Sequence, residues 1–236
     1  MLGFYDYTVW LTYISLMSAT FGIIISLHGM GHPYWGMFFL MISGLCDAFD
    51  GRVARSKKDR TEIQKGYGIQ IDSLSDLVAF GVLPVCIGEA MVSLGPDIKG
   101  IARFRITDKT MCTILSVLSI AIFIFYVLAA LIRLAYFNVT EEERQKTEGG
   151  CRKEYIGLPV TSAALIFPTL MLIQYITPFD ITLGYLVVLF ITGLLFISKI
   201  KVPKPGFRGI MIMVGIGVFE CILLLICLFA FEHIRQ

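Results

Sequence analysis

Seven long apolar blocks run through this chain, and they limit its fold more than any other feature. They fall at about residues 8–28, 34–54, 70–94, 110–138, 157–177, 181–199 and 209–232. Each approaches the roughly 20 residues that a helix needs to cross the hydrocarbon core of a bilayer. Backbone N–H and C=O groups in lipid must be satisfied within the segment, so the blocks are expected to be helices. The chain is 56% hydrophobic and only 16% charged, whereas an ordinary soluble domain is roughly a quarter charged. The expected fold class is therefore all-α integral membrane, in a single transmembrane domain over 1–236. The first segment, MLGFYDYT, lacks the basic region and small-residue cleavage site of a signal peptide, so the first block is expected to be a true span.

The polar residues between the blocks indicate orientation. Fifteen of the 20 lysines and arginines lie in the loops after the second, fourth and sixth blocks, and such loops are expected to be cytoplasmic. The N-terminus is then inside and the C-terminus outside. The basic residues sit in short loops and form no basic face of a folded domain, which argues against nucleic acid as a partner. The stretch Asp97 to Lys109 is expected to lie along the outer interface, and Val139 to Tyr155, the most polar stretch, to be a cytoplasmic loop. Glu220 stands alone within the seventh block. Such an acid either faces neighbouring helices or marks a function. The six cysteines include no CxxC pair and are expected to pack as small hydrophobes.

One constellation does not suit a simple membrane anchor. The second block ends LCDAFDGRVAR, where Asp47, Asp50, Gly51 and Ala54 share a helical face and Arg55 lies one step round. The third block opens GIQIDSLSD, where Gly68, Asp72 and Asp76 recur at every fourth residue and share a face too. The topology brings both helix ends to the cytoplasmic side, so four carboxylates are expected to converge. Like charges that close destabilise one another, and two divalent cations would balance them. All-oxygen ligation suits Mg²⁺ or Mn²⁺. His28, His32 and His233 are expected at the opposite face, and Cys46 points away from Asp47, which argues against zinc. A metal pair in an acidic cluster serves phosphate chemistry by stabilising attacking and leaving oxygens. A transported-cation site and structural pairing with the nearby basic residues remain open on spacing alone.

The run Asp47-x-x-Asp50-Gly51-x-x-Ala54-Arg55, followed by Gly68-x-x-x-Asp72-x-x-x-Asp76, resembles the signature of the CDP-alcohol phosphatidyltransferase family. Twelve residues separate Arg55 from Gly68, more than the family's usual spacing. The resemblance implies a six-helix core, about residues 8–205, with the seventh span at about 209–232 as an addition. It implies transfer of a phosphatidyl-type group from a CDP-linked lipid to an alcohol with release of CMP, membrane lipid as surroundings, and a homodimer. By the same resemblance Asp47, Asp50, Asp72 and Asp76 hold two divalent cations. Asp47, Asp50, Gly51, Ala54, Arg55 and Gly68 contact the CDP moiety, and Asp76 acts as general base. The segments IDSLSDLVAFGVLP, RLAYFN and IGLPVTSAA resemble the branch that joins CDP-diacylglycerol to L-serine. Glycerol 3-phosphate and inositol are the alternative acceptors, and a cation transporter is the alternative from another class. Arg133 either clamps the serine carboxylate, with Asn138 beside it, or snorkels to lipid headgroups. Arg152 and Lys153 either hold anionic lipid or simply set topology.

Overall fold

The computed structural model describes residues 3–28, 35–94, 109–147, 154–177 and 180–235. Among them are the helices α1 Trp10–His28, α2 Trp35–Ser56, α3 Glu62–Asp76, α4 Leu83–Leu94, α5 Lys109–Thr147, α6 Ala163–Ile176, α7 Thr182–Ile197 and α8 Phe207–Arg235. A π-helical segment, Leu77–Val82, joins α3 to α4 without a break, so the helices form seven rods at the seven apolar blocks. Trp10–His28, Glu62–Ser93, Thr113–Arg144 and Phe207–Cys227 are each long and apolar enough to cross a membrane. The rods at α6 and α7 are shorter, and α2 carries its charges in its last three turns. The chain is an all-α integral membrane protein.

The first helix shows how membrane surroundings select residues. Thr12, Ser15, Ala19, Gly22 and Ser26 repeat at intervals of three and four and are buried, while Trp10, Met17, Phe21 and Ile24 are exposed. Bulk faces outward because lipid accepts it. Small residues face inward because helix association in lipid depends on close backbone approach and interhelical hydrogen bonds. The Ser18 hydroxyl donates to the Phe39 carbonyl at 2.9 Å, and Ser43 donates to that of Ser15 at 3.0 Å, tying α1 to α2. On its other flank α2 meets α6 so closely that a Cβ on Gly44 would overlap that of Ala164. Gly44→Ala is expected to force the two helices apart at a cost of about 1–3 kcal/mol. The check is the melting temperature in detergent, which should fall; no change would mean that α2 and α6 separate freely.

The core centres on rings from α5, α6 and α7. Tyr126 meets Phe167 edge-on at 5.9 Å, and Phe167 lies 5.1 Å from Tyr185. Both tyrosines are fully buried and need acceptors for their hydroxyls. Tyr126 donates to the Phe80 carbonyl at 2.9 Å and Tyr185 to that of Pro84 at 2.8 Å. Both bonds fall on or just after the π-helical segment.

Three features differ from the sequence expectation. The third rod begins at Glu62, eight residues before the apolar block, because Thr61 and Gln64 form a reciprocal capping box. The fifth helix runs on to Thr147, so the first half of the expected loop at Val139–Tyr155 is helical. The pairs Glu141–Arg144 and Glu142–Lys146, both at 2.7 Å, have the spacing that supports a helix. A short antiparallel pair, β1 Glu154–Ile156 with β2 Lys201–Pro203, links the approach to α6 with the exit from α7. The expectations for Asp97–Lys109 (save Lys109, which opens α5), Arg152, Lys153 and His32 concern residues 95–108, 148–153 and 29–34, outside the described residues. Glu220 is buried and accepts from the Thr169 hydroxyl at 2.5 Å, so it faces α6.

Several contacts gather the basic connections at one end of the bundle. Arg52 lies 4.2 Å from the Phe207 ring at the start of α8. Lys57, just past α2, bonds Asp6 at 2.7 Å. Asp6 also accepts from the Thr8 amide and hydroxyl ahead of α1. The bond from Lys57, with a second from Thr8, holds the Asp6 carboxyl down at about 2. The clip that pins the N-terminal segment to the α2–α3 connection is therefore ionised at any ordinary pH.

Candidate active site

Three of the four motif aspartates meet between the last three turns of α2 and the second half of α3, and Asp76 lies outside that group. Carboxylate oxygens of Asp47, Asp50 and Asp72 all lie within 4.8 Å of one another. Asp76, one turn beyond Asp72, is only 8% exposed and faces the charges of Asp47, Asp72 and Asp50. Neighbouring bonds hold α3 in this rotation. The Ser75 hydroxyl donates to the Thr12 carbonyl at 3.2 Å, and Asn138 Nδ2 donates to Ser73 Oγ at 2.6 Å. Each ties the acid-bearing helix to a different rod, α1 on one flank and α5 on the other.

A hard divalent cation takes oxygens at about 2.0–2.6 Å, so two ligands on one ion stand no more than roughly 4–5 Å apart. The separations among Asp47, Asp50 and Asp72 fit that requirement, and the donor set is all oxygen. No histidine or cysteine joins the group among the described residues. The acidic cluster is thus suited to a hard divalent cation.

Arg133, on α5, is near enough to the acids for its charge to reach them. It is 7% exposed, so it does not snorkel to headgroups. Its Nε donates to the Leu158 carbonyl at 3.2 Å, and its guanidinium lies 4.9 Å from the Phe137 ring and 5.9 Å from that of Tyr155. Its charge acts on Asp47 and Asp76. The preceding glycine makes this anchor possible. Gly157 has φ +77°, and a Cβ there would stand 2.5 Å from the Phe196 carbonyl oxygen. Only glycine adopts such a conformation cheaply. With Gly157 N–H bonded to the Ile200 carbonyl at 2.8 Å, the chain lies against the end of α7 and Leu158 turns its carbonyl to Arg133.

The small residues of the motif lie beside the acids. The Arg55 guanidinium folds over Gly51, 3.4 Å from where a Cβ would stand. Gly66 has open space around it, whereas a Cβ on Gly68 would stand 2.5 Å from Arg60 Nη2. Of the two, Gly68 is the one with a neighbour, the tip of the Arg60 side chain. Sequence reasoning passed over Arg60, Ser73 and Tyr155. The first sits in a charge run that reads as a solvated loop. The other two have no local signal, because their partners lie on rods distant in sequence.

Seven apolar rods carry an acidic, cation-competent cluster at one pole. The chain belongs to the CDP-alcohol phosphatidyltransferase family, whose model matches residues 8–197. It is 34% identical over 197 residues to CDP-diacylglycerol–serine O-phosphatidyltransferase of Saccharomyces cerevisiae, a match covering 76% of this chain and 62% of that protein. It is 29% identical to archaetidylserine synthase of Methanothermobacter thermautotrophicus, covering 83% and 70% of the two chains. It is 28% identical to CDP-diacylglycerol–serine O-phosphatidyltransferase of Helicobacter pylori, covering 71% and 60%. No solved structure matches significantly. The family assignment replaces the cation-transporter alternative.

Proposed function

We propose that the protein transfers the phosphatidyl group of CDP-diacylglycerol to the hydroxyl of L-serine, giving phosphatidylserine and CMP. The observation that carries this reading is the buried Arg133, whose charge reaches Asp47 and Asp76. A substrate with a carboxylate and a reacting hydroxyl would span the two. The names of the three relatives share serine, and one of them names a different lipid part, which supports serine over glycerol 3-phosphate or inositol as the acceptor.

Asp76 takes the proton from the serine hydroxyl, a task that needs a carboxylate within hydrogen-bond reach of the reacting oxygen. The serine oxygen forms a bond to the phosphorus attached to diacylglycerol, and the bond from that phosphorus to the CMP oxygen breaks. Arg133 holds the serine carboxylate through paired N–H donors, with Asn138 beside it. Gly51, Ala54 and Gly68 contact the CDP moiety, and Arg55 pairs with a phosphate oxygen. Asp47, Asp50, Asp72 and Asp76 would hold two divalent cations, Mg²⁺ or Mn²⁺, which when bound offset charge on the phosphates and the leaving group. An apolar groove of about 280 Å³, lined by Thr12, Tyr13, Leu16, Leu74 and Val78, runs beside the acid-bearing helix and offers a lateral entry for a lipid tail.

The gathering of basic connections at the site's pole supports a cytoplasmic active site. A homodimer belongs to the same proposal, and cross-linking in membranes would test it by yielding, or failing to yield, a two-chain product. The decisive experiment offers purified protein CDP-diacylglycerol, Mn²⁺ and each of serine, glycerol 3-phosphate and inositol. Serine-dependent release of CMP is expected. Release with another alcohol and not with serine would overturn the assignment.

A further inference from the structure

We propose that Arg60, in the long connection between α2 and α3, is a further binding residue for the CDP moiety. The inference rests on the reading above for the identity of the ligand. Four observations carry it. Arg60 directly precedes Thr61, the N-cap of α3, yet its side chain turns back into the molecule and is half-buried. Nη1 donates to the Ala54 carbonyl at 3.3 Å and Nη2 to the Gln64 carbonyl at 3.1 Å. Nη2 also fills the space left by the missing side chain of Gly68. Nε is buried and has no hydrogen-bond partner among the described residues.

Ala54 lies near the end of α2 and Gly68 midway along α3, and both are expected to contact CDP. The guanidinium of Arg60 therefore lies between two of the positions that the nucleotide should meet. Two neutral carbonyls hold it and no carboxylate pairs with it among the described residues. A buried guanidinium N–H without an acceptor is costly, and a diphosphate supplies anionic acceptors with the geometry that a planar fork prefers. The bonds to Ala54 and Gln64 aim the fork, while Nε remains to be satisfied by the ligand. The extended spacing between Arg55 and Gly68 is what allows a residue of the connection to reach this point.

The bland alternative is a clip that merely joins the end of α2 to the start of α3. Equilibrium binding of CMP to the purified protein with Mn²⁺, by calorimetry in detergent, separates the two. Arg60→Ala is expected to weaken CMP binding by about tenfold or more, the loss of one charge-assisted contact, and to raise the KM for CDP-diacylglycerol in parallel. The KM for serine should stay within about twofold. Arg60→Lys, which keeps the charge without the fork, should fall between, and it takes the place of Arg60→Ala if that variant fails to fold. A lowered melting temperature with unchanged CMP affinity would identify a clip and overturn the proposal. Wild-type binding that depends on Arg60, combined with turnover of an alcohol other than serine, would sustain this inference and sink the serine reading. Wild-type protein that binds no CMP would sink both.

Discussion

Asp76→Asn is expected to reduce serine-dependent CMP release by about 10³-fold or more, since general-base catalysis alone contributes roughly 10²–10⁴. The exchange replaces one carboxylate oxygen by nitrogen at nearly constant volume. It removes the proposed base and one of the proposed cation ligands together. The protein should stay folded, because Asp76 faces three other aspartates and removing one of four like charges relieves repulsion. The melting temperature in metal-free detergent buffer should therefore equal or exceed that of the wild type. The measurement is the initial rate at saturating CDP-diacylglycerol, serine and Mn²⁺, taken beside the melting curve. Full activity in a folded variant would remove Asp76 from the chemistry.

The second large effect is expected at Arg133. Arg133→Ala should raise the KM for serine by about 100-fold, the order expected when one partner of a buried charged pair is removed, and change the KM for CDP-diacylglycerol far less. The side chain is held on one side by the Leu158 carbonyl and flanked by the rings of Phe137 and Tyr155. Its orientation is thus fixed before serine arrives, and little ordering entropy remains to be lost. Lysine in its place keeps a positive charge but cannot present two parallel donors, so Arg133→Lys should recover only part of the affinity. Because the charge of Arg133 also acts on Asp47 and Asp76, a loss of stability is expected with the alanine variant. The contrast between the two KM values is the informative readout. An equal rise in both would count against a carboxylate clamp.

The sequence disclosed the rods and the acidic face because both are periodic and local. Asp47 and Asp50 lie one turn apart, as do Asp72 and Asp76, and topology alone put their ends at the same pole. Arg133 was visible as a charge at the end of a span, but its burial was not. That depends on Gly157 and Leu158, two dozen residues further on, and on the end of α7. The short strand pair escaped because residues 154–156 and 201–203 meet only across two intervening helices. The helical run from Val139 to Thr147 read as a loop because its stability comes from ion pairs at helical spacing, where hydrophobic periodicity is silent.

The π-helical segment between α3 and α4 has a bearing on how this chain can tolerate change. Its widened turn, closed by the Leu83 N–H on the Val78 carbonyl, sets the rotation of everything before it relative to everything after it. Before it Asp72 and Asp76 lie near Asp47 and Asp50; after it Leu83 and Ile87 lie in the core. Each residue of a helix advances the azimuth by about 100°. A deletion that healed the turn into regular α-helix would leave both halves intact and swing the carboxylates out of alignment. The spot is a splice between two gears, indifferent to many side-chain swaps and intolerant of any change in the number of teeth.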